Sequence, residues 1–248
     1  MVLAKRLCVV RRLAFFASFG IASWPSNAFA YRPFDSTDPA VADLNSFEVE
    51  LSPLSYRHDD SGRIWIAPQL RLNYGFAKDW EVVLEGQGEH ERGFESRLVE
   101  NALSLKYIIK EGTLQDMPGP SVATEFGVLL PGVHDQKGTG ATITGIIGQK
   151  FSWGAVHVNL SGSLMRDQRG EMFFGTILEG PDAWPVRPVA EFVYQRESGG
   201  HQETAMLGGA IWKVKDSLAF DFALRHAKID GRPETQVRAG LTFDFSSH

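Results

Sequence analysis

Between Asn45 and Phe245 apolar residues return at every second position, in runs of about ten broken by turn-forming residues. No motif in the chain constrains it as much, because successive side chains of an extended strand point to opposite faces. The period therefore makes strands with one apolar face each. It excludes a helical bundle, whose apolar residues recur at every third or fourth position. In the clearest run Ile64, Ile66, Leu70, Leu72, Tyr74 and Phe76 are expected on one face, with Gln69, Arg71 and Asn73 on the other. Trp80, Val82 and Leu84 oppose Glu81 and Glu85; Leu103, Leu105, Tyr107 and Ile109 oppose Ser104 and Lys106; Val122, Phe126 and Val128 oppose Glu125. Ala190, Phe192 and Tyr194 oppose Arg187, Glu191 and Gln195, and Phe220, Phe222 and Leu224 oppose Asp221 and Arg225. Val237, Ala239, Leu241, Phe243 and Phe245 close the series against Gln236, Arg238 and Asp244. Composition agrees, since 25 glycines and 17 phenylalanines suit short strands and tight turns better than helices. No uncharged apolar run approaches the ~18 residues of a membrane-spanning helix.

Residues 1–30 read as an address. Lys5, Arg6, Arg11 and Arg12 precede an apolar stretch from Leu13 to Trp24, and Ala28-Phe29-Ala30 supplies a small-residue cleavage site. A secretory signal removed after Ala30 leaves 218 of the 248 residues and takes away Cys8, the one cysteine. Disulfides, thiolate metal sites and cysteine nucleophiles are thereby excluded. Losing those four bases from 25 leaves 21 against 30 acids, a net charge of −9 that argues against a nucleic-acid partner. Residues 31–44 are expected as a short periplasmic lead without a plug, and residues 45–248 as the folded body.

Twelve runs in that body, at about 18 residues per run and connection, fit the tilted strands of an outer-membrane barrel. The registered runs keep charge off their apolar faces, as they must if lipid lies there, because an arginine or lysine at the midplane costs roughly 2 to 4 kcal/mol. Trp80, Trp153, Trp184 and Trp212 sit at the tighter connections, where an interfacial aromatic girdle belongs. Longer polar loops are expected at the other end, over 57–63, 89–97, 131–140, 166–171, 197–202 and 228–233. The expectation is an all-β fold, a single transmembrane antiparallel up-and-down barrel of about twelve strands. A soluble two-sheet sandwich also alternates, but it leaves the placement of the tryptophans unexplained. Pro68 and Pro188 remove ladder hydrogen bonds and are expected at bulges.

The segments LNYGFAKDWEVVLEG (Leu72 to Gly86), GPSVATEFGVLLPG (Gly119 to Gly132), EGPDAWPVRPVAEFVYQRE (Glu179 to Glu197) and RAGLTFDF (Arg238 to Phe245) resemble a group of bacterial outer-membrane barrel transporters. That group is similar to the family named for the meta-pathway of phenol degradation. The resemblance spans about Tyr31 to Phe245 and implies an outer-membrane barrel and uptake of small molecules, aromatic ones included. It carries no catalytic residues. One departure is Ser246-Ser247-His248 after Phe245, where such barrels often end on an aromatic.

Sites of chemistry are sparse. His157, Asn159 and Ser161 share one strand face at steps of ~6 to 7 Å, too far apart to touch directly, so polar lining is expected there and not a catalytic set. His58, His90, His134, His201 and His226 fall in or near the loops without metal-ligand spacing, so no metal and no cofactor are expected. The lumen lining is expected from Arg71, Glu81, Glu85, Lys106, Glu125, Arg187, Glu191, Asp221, Arg225 and Arg238. These charges either pair across a filled lumen or line a wet channel. The function expected is a non-enzymatic channel for passive uptake. The alternatives are a closed structural or surface-interaction barrel and a lipid-modifying enzyme. Expected partners are outer-membrane lipid, a small permeant and the barrel-assembly machinery.

Overall fold

The computed structural model describes residues 32–60 and 62–246. The leader over residues 1–30 lies outside the described residues. Thirteen strands follow in order: β1 (Ser46–Ser52), β2 (Ser55–His58), β3 (Arg63–Ala77), β4 (Trp80–Glu91), β5 (Arg97–Lys110), β6 (Ser121–Leu129), β7 (Gly140–Phe151), β8 (Gly154–Leu164), β9 (Gly170–Glu179), β10 (Val186–Glu197), β11 (Gln202–Lys215), β12 (Leu218–Ile229) and β13 (Arg232–Ser246). Each pairs antiparallel with its neighbour in sequence from β2 to β13. β1 and β2 both pair with β3 on one side and β13 on the other, so they are one stave interrupted at Pro53 and Leu54. The result is a closed barrel of twelve staves. Closure pairs every strand edge, the condition a sheet must meet in hydrocarbon.

The outward face is an apolar belt. Leu84, Phe126, Ile143, Leu160 and Phe222 are between 47 and 58 % exposed, which is what side chains facing a bilayer show when the protein is taken alone. Where the expected apolar faces are uninterrupted they point outward, and the run from Met172 takes the same sense, with Met172, Phe174 and Leu178 outside. A girdle rings one end of the belt: Trp80 stacks on Tyr107 with ring centres 4.3 Å apart, Phe151 on Trp153 at 5.3 Å, and Trp212 lies 6.0 Å from Phe220. That end also holds the start of β1 and the end of β13, so it is the periplasmic end.

The structure departs from the sequence reading at several points. Pro68 does sit at a bulge, where the β3–β4 register jumps between Ile66 and Gln69. One extra residue reverses the facing of everything before it. Ile64 and Ile66 are therefore buried inside and Trp65 faces out, opposite to the expected arrangement. Pro188 needs no bulge. It pairs with Ala210 in regular register, while its carbonyl accepts the amide of Gly180 beyond the end of β9. Its missing N–H points to that same side, where the β9 ladder has already stopped. Five of the six expected long loops are shorter than read, because the strands extend into them. The connection read over 228–233 is a two-residue turn at Asp230 and Gly231, both at positive φ, the geometry a right-twisted hairpin favours. Loop length does not separate the two ends, since 111–120 at the periplasmic end matches 130–139 at the other.

Candidate functional site

Inward-facing residues alternate with the belt, and all ten of the expected lining residues project into the barrel. Arg71 lies among three carboxylates from three different staves: Glu85 at 2.9 Å, Glu50 at 3.4 Å and Glu125 at 3.4 Å. Arg187 meets Glu179 on the adjacent β9 at 3.2 Å and Asp182 in the following connection at 2.7 Å, both on the nearby wall. The other six turn toward a segment that the sequence reading placed outside the barrel.

Residues 32–44 are not a periplasmic lead. They enter the barrel and run around its inner wall as a strap. Asp35 receives Arg238 at 2.6 Å and Arg225 at 2.7 Å; Arg225 also pairs with Glu203. Arg32 reaches Asp221 at 3.3 Å and hydrogen-bonds Gln69. Glu191 accepts the backbone amides of Asp35 and Ser36 at 2.9 and 2.8 Å, and Glu81 accepts the amide of Ala42 at 2.6 Å. Lys106 faces Asp38 at 3.5 Å. Asn159 closes a pair of bonds on Thr37, accepting its amide and donating to its carbonyl. An extended backbone has polar groups at every residue, and inside a barrel these need partners. The lumen charges supply them.

The bed of the strap is made of glycine. A Cβ added at Gly148 would come within 2.7 Å of the Pro39 ring, and at Gly75, Gly175 or Gly240 it would overlap Ala42, Ser36 or Arg32. All four glycines face inward, on β3, β7, β9 and β13. They leave the room in which another backbone can lie against the wall.

The strap divides the polar interior. Towards the outer end is a cavity of about 520 Å³ bordered by residues 32–36 of the strap together with Arg57, Arg71, Glu85, Arg225 and Arg238. Towards the periplasm is one of about 680 Å³ bordered by Asp38, residues 40–44, His157, Glu179, Arg187 and Lys213. His157 Nε2 lies 3.2 Å from Glu179, and the Ser161 hydroxyl bonds that of Thr144, so these residues with Asn159 serve the wall and the strap. The loop histidines are dispersed around the outer rim: His134 lies beside Glu95, His201 beside Asp230 and His226 beside Thr235. Among the described residues no group of three potential metal ligands comes together.

Asp35, Asp38, Thr37 and the four glycines were missed from sequence. The strap carries no period, and a stretch with three acids and two prolines reads as a lead outside the barrel. Only unusual glycines on inward strand faces signalled that a second backbone lies against them.

No family model matches the chain, and no curated protein matches it by sequence. Solved structures do match in fold. An outer-membrane channel from Pseudomonas putida F1 superposes with a TM-score of 0.60 at 9 % identity, covering 86 % of this chain and all of that one. The NanC porin gives 0.58 at 10 % identity over 79 % of this chain and 98 % of its own, and the KdgM porin 0.55 at 10 % over 82 % and 99 %. The closed sheet and the apolar belt together define a transmembrane β-barrel with the fold of these outer-membrane barrels.

Proposed function

We propose that this chain is a passive outer-membrane channel for small hydrophilic solutes, narrowed along its length by its own residues 32–42. The reading rests on one arrangement: a strap of backbone held by lumen charges, with a cavity on either side. Guanidinium and carboxylate groups favour solutes that bring charge or hydrogen bonds to replace lost water. An aromatic cargo, implied by the resemblance to the phenol meta-pathway family, would gain from this lining through a carboxylate or hydroxyl group and not through its ring. The closed surface-interaction barrel is disfavoured because its interior has no use for two cavities lined by charged side chains. Planar-bilayer recordings test the proposal. The mature protein is expected to give small current steps, and a variant lacking residues 32–42 larger ones. Silence from both, with the heat-shifted folded band present on gels, would overturn it.

A further inference from the structure

The bulge at Pro68 turns the outer end of β3 so that Arg63 and Trp65 face outward beside Tyr56 and His58 of β2 and His90 of β4, a surface unlike the rest of the belt. Two cross-strand rows lie there in register. The lower row runs Val237, Tyr56, Trp65 and His90, and the upper row His226, Thr235, His58 and Arg63. The lower row is aromatic, with Tyr56 and Trp65 rings 4.9 Å apart, while the upper row is basic. Arg92, from the turn after β4, joins Arg63, Tyr56 and Trp65 around a common hollow. Lys228 extends the basic side along β12. No carboxylate neutralises Arg63 or Arg92 among the described residues: Glu91 is directed to Arg97, and Asp59 holds the amide of Gly62. Among the described residues elsewhere on the outer rim, Leu98, Val128, Ile143, Leu164 and Met172 present apolar side chains, and Arg196 is a charged exception.

We infer that this face is a binding site for the phosphorylated headgroup of an outer-leaflet glycolipid. Successive outward side chains on a strand are ~6 to 7 Å apart, so the two rows sit at different depths in the bilayer. The aromatic row lies at the acyl boundary and the row that ends in Arg63, with Arg92 beside it, one step further out, at headgroup height. Unpaired guanidiniums at that height attract phosphate and bind it in a fork. A soluble anion has no need of the aromatic row, whereas a lipid uses both. The site is independent of whether the lumen conducts.

Native mass spectrometry of the mature barrel in neutral detergent tests this with three probes: lipid A bisphosphate, the same lipid with its phosphates removed, and inorganic phosphate. A one-to-one adduct with the bisphosphate is expected, weakened at least tenfold by loss of the phosphates and by the double change Arg63→Gln, Arg92→Gln. Arg196→Gln is expected to bind within twofold of the parent. Equal binding of the dephosphorylated lipid, or of the double variant, would overturn the site. Saturable retention of inorganic phosphate alone would reassign it to a free anion and overturn the lipid. If the double variant does not fold, Arg92→Gln, which lies outside the strands, and the phosphate dependence of the parent still decide.

Discussion

Asp35 and Arg238 lie 2.6 Å apart, a carboxylate on the entering segment against a guanidinium on the last stave, joined across 203 residues of sequence. Arg225 grips the other oxygen of the same carboxylate. The pairing fastens the strap beside the seam where the barrel closes, so removing Asp35 frees the strap and leaves two buried cations short of a partner. Breaking a buried pair of this kind costs about 3 to 5 kcal/mol. Asp35→Ala is expected to lower the urea midpoint of the barrel in vesicles and to enlarge the current steps. Unchanged conductance would mean that the strap stays seated without its anchor.

Gly148 tests the same strap from the wall beneath it, where an added side chain would meet the rings of both His157 and Pro39. The Pro39 ring occupies the space where a side chain at that position would stand. Gly148→Val is expected to lift the strap locally and expose it to added protease from the periplasmic side, with the barrel itself still resistant. Equal resistance of the strap in parent and variant would show that the wall yields instead.

The belt predicts an asymmetry between faces. Phe222 is 58 % exposed on the outside of β12, while its neighbour Ala223 is fully buried. Phe222→Arg is expected to cost about 2 to 4 kcal/mol if it sits near the bilayer midplane. Equilibrium unfolding in vesicles measures it. A change within about 0.5 kcal/mol, typical of an ordinary water-exposed position, would contradict a lipid-facing belt.

Deleting Pro68 removes the extra residue of the bulge. Arg63 and Trp65 would then turn inward and Ile64 and Ile66 outward, restoring an unbroken apolar face. Arg57 in the interior would lose the neighbouring register that surrounds it. The expected result is a barrel that folds in lower yield and loses lipid A bisphosphate binding; full folding with full binding would show that the bulge does not set the facing.

The turn at Asp230 predicts a pH response. The amide of Gln202 and the ring of His201 both donate to its carboxylate and hold it below its usual value of 3.8. A lowered folded value means that the charged form is the one the turn prefers. Its contribution is complete above pH 3.8 and is lost as the pH falls through the lowered value. Amide exchange at Gln202 is expected to speed up below about pH 4 beyond its intrinsic rate, and Asp230→Asn to remove that dependence.

The alternation of apolar residues was enough to give an antiparallel barrel of twelve staves, because a period of two and the cost of charge in lipid are properties of each strand by itself. Phe220, Phe222 and Leu224 against Asp221 and Arg225 could be read without knowing any neighbour. Facing near Pro68 could not, since the conflict between an extra residue and the ladder is resolved only when β4 is paired beside β3. The strap was hidden for the same reason. Nothing local in Arg32 to Ala42 distinguishes a solvated lead from a buried one. Its place is decided by partners on nine staves, Glu81, Lys106, Asn159, Glu191, Asp221 and Arg238 among them, and these gather around one segment only after the sheet has closed on itself.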